Sequence, residues 1–170
     1  MLGYVTTQGR GLADRLLADL ADDLRARGWK LAGVVQVNLD RHPDRLCDME
    51  LHVMGKNHHV RISQDLGPHA RGCRLDAGGL EQAVGLVEAE LATRPALVII
   101  NKFGKSEAEG RGFRNVIGMA LAEGIPVLTS VSQHNLQGFM AFSDGLAEPV
   151  SADADSLLCW CEKTCAAPQA

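Results

Sequence analysis

No apolar run in the 170-residue chain approaches the roughly 20 residues that a membrane-spanning helix needs, which excludes that class. No block of lysine and arginine stands out and the formal net charge is −4, so a nucleic-acid surface is not expected. The first residues lack a secretory leader pattern, which leads to the expectation of a cytoplasmic protein. Five cysteines are an odd number in a chain without an export signal, and they read as reduced thiols rather than a disulfide framework. Internal repeats, low-complexity tracts and linkers are lacking as well, so one α/β domain is expected over residues 1–170. What is present is the composition of an ordinary globular domain with a sizeable core, 46% hydrophobic and 22% charged.

Along the chain, short apolar runs alternate with helical periods. "LGYVT" (Leu2 to Thr6) reads as a first strand, "TQGRG" as a turn, and Leu12 to Arg27 as a helix in which Leu12, Leu16, Leu20 and Leu24 recur, joined by Ala13 and Leu17. Gly28 ends it, and Lys30 to Asn38 reads as a second strand. Strand, glycine turn, helix, strand is a βαβ unit and implies a parallel sheet. The middle differs. In "CDMELHVM" Cys47, Met49, Leu51 and Val53 share one face and Asp48, Glu50 and His52 the other, and after a turn at Gly55 to Asn57 the residues Val60 and Ile62 continue the apolar face. This predicts an antiparallel hairpin appended to an edge of the sheet. Beyond it come a helix near Leu80 to Thr93, a buried strand in "ALVIINKFG", a helix near Arg114 to Glu123, a strand in "PVLTSVS", a short segment after His134, and a last helix near Asp155 to Cys165.

The turn after the first strand stands where a phosphate-binding loop would, but it lacks that loop's chemistry. Such a loop is G-x-x-x-x-G followed by Lys and then Ser or Thr. In "TTQGRGLAD" only Gly11 is kept, and Leu12 and Ala13 occupy the places of the cation and the hydroxyl. In the other register Gly9-Arg10 replaces Gly-Lys, with Tyr4 at the first glycine and Gly11 at the hydroxyl. "GRGLAD" also departs from the dinucleotide fingerprint, with Asp14 at its third glycine. Three readings stand: a tight turn that needs small residues, an anion site on the free amides of Gln8, Gly9 and Gly11 helped by Arg10, and a working magnesium-dependent loop.

The buried strand runs into "NKFGKSEAEGRG", Asn101 to Gly112, at the edge where open α/β sheets bind ligands. Asn101 can hydrogen-bond but brings no charge. Lys102 and Lys105 supply positive charge beside Gly104, and Glu107 can orient a lysine or act as a base. The alternative is that Asn101 caps local backbone and Glu107 or Glu109 starts the next helix.

With these parts in this order, the chain resembles a bacterial domain family of unknown function often encoded beside molybdate-uptake genes. The resemblance rests on "N-x-F-G-K-x-E-A-x-G-x-G" at Asn101 to Gly112, "G-C-x-L-D" at Gly72 to Asp76 and "C-D-M" at Cys47 to Met49, and it extends to about Trp160. More distantly the layout is similar to small P-loop nucleoside-triphosphatases, whose buried strand ends in Asp-Glu-x-Gly-x-x-Glu; the matching positions here are Asn101, Lys102, Gly104 and Glu107. The implied fold is a three-layer α/β sandwich with a mainly parallel sheet, a degenerate P-loop and a hairpin excursion. The ligand site expected from the residues is Gln8, Gly9, Arg10, Gly11, Asn101, Lys102, Gly104 and Lys105, with Glu107 the candidate for any catalytic role, and the resemblance implies Cys73 and Asp76 beside it. The ligand expected is a small anion, either a nucleotide or a molybdate-type oxyanion, bound without efficient hydrolysis. Two alternatives remain, an accessory role in molybdate handling and an active triphosphatase with atypical motifs; magnesium belongs only to the last. Homo-oligomerisation is left open.

His42, His52, His58, His59 and His69 cluster between Cys47 and Cys73 or close to them, and imidazole with thiolate suits zinc. Their spacing matches neither C-x-x-C nor H-x-x-x-H, and Cys47 sits on the apolar face of its strand, so no resident metal is expected. Near the C-terminus Cys161 and Cys165 continue a helical stripe with Leu158 and read as buried thiols.

Overall fold

The computed structural model describes residues 1–9, 11–39, 47–65 and 74–165. In chain order its elements are β1 (Leu2–Val5), α1 (Leu12–Ala26), β2 (Leu31–Leu39), β3 (Asp48–Val53), β4 (His58–Arg61), α2 (Ala77–Leu91), β5 (Leu97–Phe103), α3 (Lys105–Ala108), α4 (Arg114–Ala122), β6 (Val127–Val131), α5 (Leu136–Ser143), β7 (Ala147–Pro149) and α6 (Ala154–Thr164). The strands form one sheet in the order β4-β3-β2-β5-β6-β1-β7. From β2 to β7 every pairing is parallel, whereas β3 pairs antiparallel with both β2 and β4. The hairpin is thus appended to the β2 side of a parallel sheet. Among the described residues no helix is long and apolar enough to cross a membrane.

Alternation along the strands sends side chains to both faces, and each face is covered by helices. Leu31, Leu97, Ile99 and Leu128 pack with Leu17, Leu20 and Leu24 of α1 and with Leu157 and Cys161 of α6. Val34, Leu51, Val60 and Ile100 pack with Val84 and Val87 of α2, Ile117 of α4 and Phe139 of α5. These are the three layers of an α/β sandwich, and each buried aliphatic side chain contributes about 1.5–3 kcal/mol of hydrophobic stabilisation. The stripe of α1 is Leu17, Leu20, Ala21 and Leu24, at helical spacings of three and four; Leu12, expected on it, lies in the first turn and is 50% exposed.

Helix α2 starts three residues before the expected position, because Asp76 caps it by accepting from the amides of Gly78 and Gly79 (3.0 and 3.3 Å). The segment after His134 is a full helix, α5, and the chain then adds β7 beside β1, neither of which the apolar pattern disclosed.

Among the described glycines, Gly33 leaves the least room for a side chain. Its φ is +111°, and a Cβ there would lie 1.9 Å from the carbonyl oxygen of Ile99 on the paired strand. Gly33→Ala should therefore destabilise the fold by about 3 kcal/mol or more, since strain and overlap add. Chemical denaturation measures this; a loss below about 1 kcal/mol, the centre of ordinary substitutions, contradicts the contact.

Candidate ligand-binding site

The parallel strands end at one edge, and Asn101 ties that edge together. Regular pairing of β2 with β5 stops at Val34 and Ile100, and β5 is irregular between Ile100 and Phe103. Past that point the backbone N–H of Gln36 donates to Asn101 Oδ1 at 3.0 Å. Asn101 Nδ2 in turn donates to Asp14 Oδ1 at 2.9 Å, in the first turn of α1. The orientation of this amide is fixed by its partners, because an N–H can only donate and a carboxylate only accept. The Asn101 carbonyl accepts from Ser130 Oγ of β6 at 2.5 Å. Asn38 Nδ2 reaches the second oxygen of Asp14 at 3.4 Å, and Gln36 Nε2 donates to Asn38 Oδ1 at 2.9 Å. Asn101 is 2% exposed, so a single buried amide links two strands and a helix.

Glu107 is buried as well, and both of its oxygens are engaged. Oε2 accepts from the amide of Gly104 at 2.8 Å and Oε1 from the amide of Phe113 at 3.1 Å. The carboxylate thus braces the whole polar loop from the end of β5 to the start of α4. Gly112 explains the second glycine of "GRG": its φ is +58°, and a Cβ would sit 2.3 Å from Glu107 Oε1. Arg114 Nη1 closes the loop from the other side by donating to the Glu107 carbonyl at 3.2 Å.

Beside this loop lies a cleft of about 610 Å³, within the roughly 300–1,000 Å³ of small-molecule sites. It opens on the α2 face of the sheet, with an apolar floor of Val34, Leu51, Ile62, Leu80 and Phe113. Arg74, Lys102, Lys105 and Arg111 line it together with Glu81, Glu107 and Glu109. Lys105 and Arg111 both pair with Glu109, and the Arg111 guanidinium holds the Glu109 carboxyl below its usual range. Arg74 Nη2 donates to the Cys47 carbonyl at 2.6 Å, while Lys102 is exposed and makes no ion pair among the described residues.

Of the residues singled out from the sequence, Asn101, Lys102, Gly104, Lys105 and Glu107 meet at this cleft. Asp76 is adjacent, but its carboxylate is spent on the α2 cap. Gln8, Gly9 and Gly11 are exposed at the end of β1, which β6 separates from β5, and they are not part of the lining. Gly9 and Gly11 have φ of +117° and +74°, values that suit the tight-turn reading. Arg10 and Cys73 lie outside the described residues, as do His42 and His69. Sequence reasoning did not name Arg74, Arg111 or Asp14 as site residues, although Arg111 and Arg74 lie inside segments it singled out. Elsewhere, burial pushes the thiols of Cys161 and Cys165 up to about 12 and about 11, which leaves them protonated and inert. His52 is held below its usual value, first by burial and then by His59.

Magnesium does not fit this edge in the manner of a triphosphatase. The strand end offers an amide and a lysine, and both oxygens of Asp14 are held by amides. The fold is similar to that of THEP1 from the hyperthermophile Aquifex aeolicus, with a TM-score of 0.65 over 96% of each chain at 13% identity, a likeness of fold alone. The chain itself belongs to the family described as "Protein of unknown function (DUF2478)", which it matches over residues 2–160. Over 151 residues, 89% of its length, it is 35% identical to the Molybdenum import ATP-binding protein ModC 2 of Bradyrhizobium diazoefficiens, of which it spans 17%.

Two substitutions test this geometry. Glu107→Gln turns an amide NH₂ against a backbone N–H, so a stability loss of about 1–3 kcal/mol and faster hydrogen exchange at Gly104 and Phe113 are expected. An unchanged denaturation midpoint and unchanged exchange contradict the bracing role. Asn101→Asp places two carboxylates about as close as the amide and Asp14 are now, and burial with like charge raises the new group's folded pKa above its unfolded value near 3.9. The variant should be near wild-type stability below about pH 4 and lose stability as pH rises through that raised pKa. A deficit independent of pH contradicts the contact.

Proposed function

We propose that the chain binds a small anionic ligand, of the nucleotide or oxyanion class, in the cleft on the α2 face at the ends of β2 and β5, and that it does not hydrolyse triphosphates efficiently. The observation that carries the reading is a rim of four basic and three acidic side chains, with Lys102 outside the ion pairs of the described residues, over an apolar floor at the sheet edge where open α/β proteins bind ligands. Lys102 supplies the charge least committed elsewhere, and Arg74, Lys105 and Arg111 add to it. The amide of Gly104 is occupied by Glu107, so Glu107 acts as a positioning residue that sets the loop, and no proton transfer is assigned to it. The buried, internally satisfied Asn101 supports the absence of metal-assisted phosphoryl transfer, for which a charged metal ligand at the strand end would be needed. A molybdate-handling role is the second reading, favoured by the identity to part of a protein named for molybdenum import.

Titration calorimetry with ATP, ADP, phosphate, sulfate and molybdate tests the proposal and separates its two ligand classes. A charge-assisted contact is worth roughly 1.5–3 kcal/mol, so Lys102→Ala should weaken binding about tenfold to a hundredfold, with Arg74→Ala acting in the same direction. Turnover of magnesium ATP should fall far below the usual enzyme range of about 1 per second and above. Unchanged affinity in both variants contradicts the cleft, and turnover near 1 per second contradicts the lack of hydrolysis.

A further inference from the structure

The hairpin carries a second cluster, on the sheet face opposite the cleft. His52 of β3 lies directly across from His59 of β4, and Glu50 precedes His52 by two residues on the same strand face. Their donor atoms lie within 4.8 Å of one another. The two imidazoles are stacked with ring centroids 3.8 Å apart and planes 5° from parallel, and His52 Nε2 is 4.0 Å from Glu50 Oε2. The opposite side of the hairpin is apolar: Leu51, Val53 and Val60 are buried in the cluster that packs with α2. On the histidine side a concavity of about 200 Å³ remains between the hairpin and α1, with Asp22 and Arg25 on its far wall.

We propose that Glu50, His52 and His59 form a binding site for one divalent first-row transition ion of the zinc class. Two imidazoles and a carboxylate are the donor set that zinc, cobalt and nickel accept, and that magnesium and calcium do not favour. The three donors come from two strands whose register is fixed by backbone pairing, so little of the chain has to be ordered on binding. Imidazole lone pairs lie in the ring plane, and parallel planes do not converge on one ion. Binding therefore opens the stack: His59 is exposed and turns about its side-chain torsions until both nitrogens approach the ion at about 2.0–2.1 Å. Asp22 places a further carboxylate across the concavity, although Arg25, 3.7 Å from it, partly offsets its charge. Arg61, directly across from Glu50 in the β3–β4 register, pairs with Asp48 at 2.9 Å. Along the sequence His52 and His59 match no metal motif, because they become neighbours only across the turn. The proposal thus departs from the expectation of no resident metal, which rested on spacing and on the apolar placement of Cys47.

The test is titration of the untagged, chelator-treated chain with zinc and with cobalt, read by calorimetry and by the visible spectrum of bound cobalt. One ion per chain is expected. His52→Ala and His59→Ala should each weaken binding at least about a hundredfold, the upper end of what even an outer-shell change costs, and the exposed His58→Ala should leave it unchanged. Zinc-dependent shifts of the His52 and His59 ring nitrogens in the wild type give a readout that needs no variant. No saturable binding by the wild type overturns the proposal. So does binding that survives His52→Ala combined with His59→Ala, or ring shifts confined to other histidines.

Discussion

The side-chain amide of Asn101 takes over where the β2–β5 ladder ends, accepting from Gln36 and donating to Asp14, and the edge of the sheet is organised around that pair of bonds. A buried amide with all partners in place is stable, whereas the same group left unsatisfied costs about 1–3 kcal/mol. The consequence reaches beyond stability. Asp14 belongs to the first turn after the β1–α1 loop, so its bond to Asn101 joins that loop to the end of β5. At this junction the Asp14 carboxylate is met by two side-chain amides, those of Asn101 and Asn38.

That junction also divides the edge into two sides. Asn101 points to the α1 side, and the polar loop that follows is braced by Glu107 toward α4, which leaves Lys102 and the guanidinium groups of Arg74 and Arg111 around a cleft on the α2 side. The hairpin extends the sheet past β2 and supplies Met49, Leu51 and Ile62 to the cleft wall. Its other face, not covered by α2, carries the Glu50, His52 and His59 cluster. One appended hairpin therefore shapes both candidate sites.

Much of the architecture was legible in the sequence because it is written in local periods. The two-residue alternation of "CDMELHVM" and the leucine stripe of α1 each need only one element to be read. Helix α5 escaped because Gly138 interrupts a short apolar segment, and β7 because three residues ending in Pro149 acquire meaning only beside β1. The site was legible in part. "NKFGKSE" marked the strand end, but the partners of Asn101 lie 65 and 87 residues away, and Arg74 and Arg111 occupy unspecified positions of the quoted segments. The capping of α2 by Asp76 was visible in principle from an Asp before a helical run, yet Gly78 and Gly79 hide it by lowering apparent helix propensity. Gly79 is there because a Cβ would lie 2.3 Å from the Arg61 carbonyl oxygen.

The central claim is that the ligand occupies the α2-face cleft and leaves the β1–α1 loop untouched. Mapping backbone amide shifts during titration with the tightest-binding anion tests it most directly. The account predicts saturating perturbations at Arg74, Lys102, Lys105 and Arg111, with Gly9, Gly11 and Leu12 unmoved. Perturbations centred on Gly9 to Leu12, with the cleft residues silent, would contradict it and return the ligand to the place of the phosphate loop.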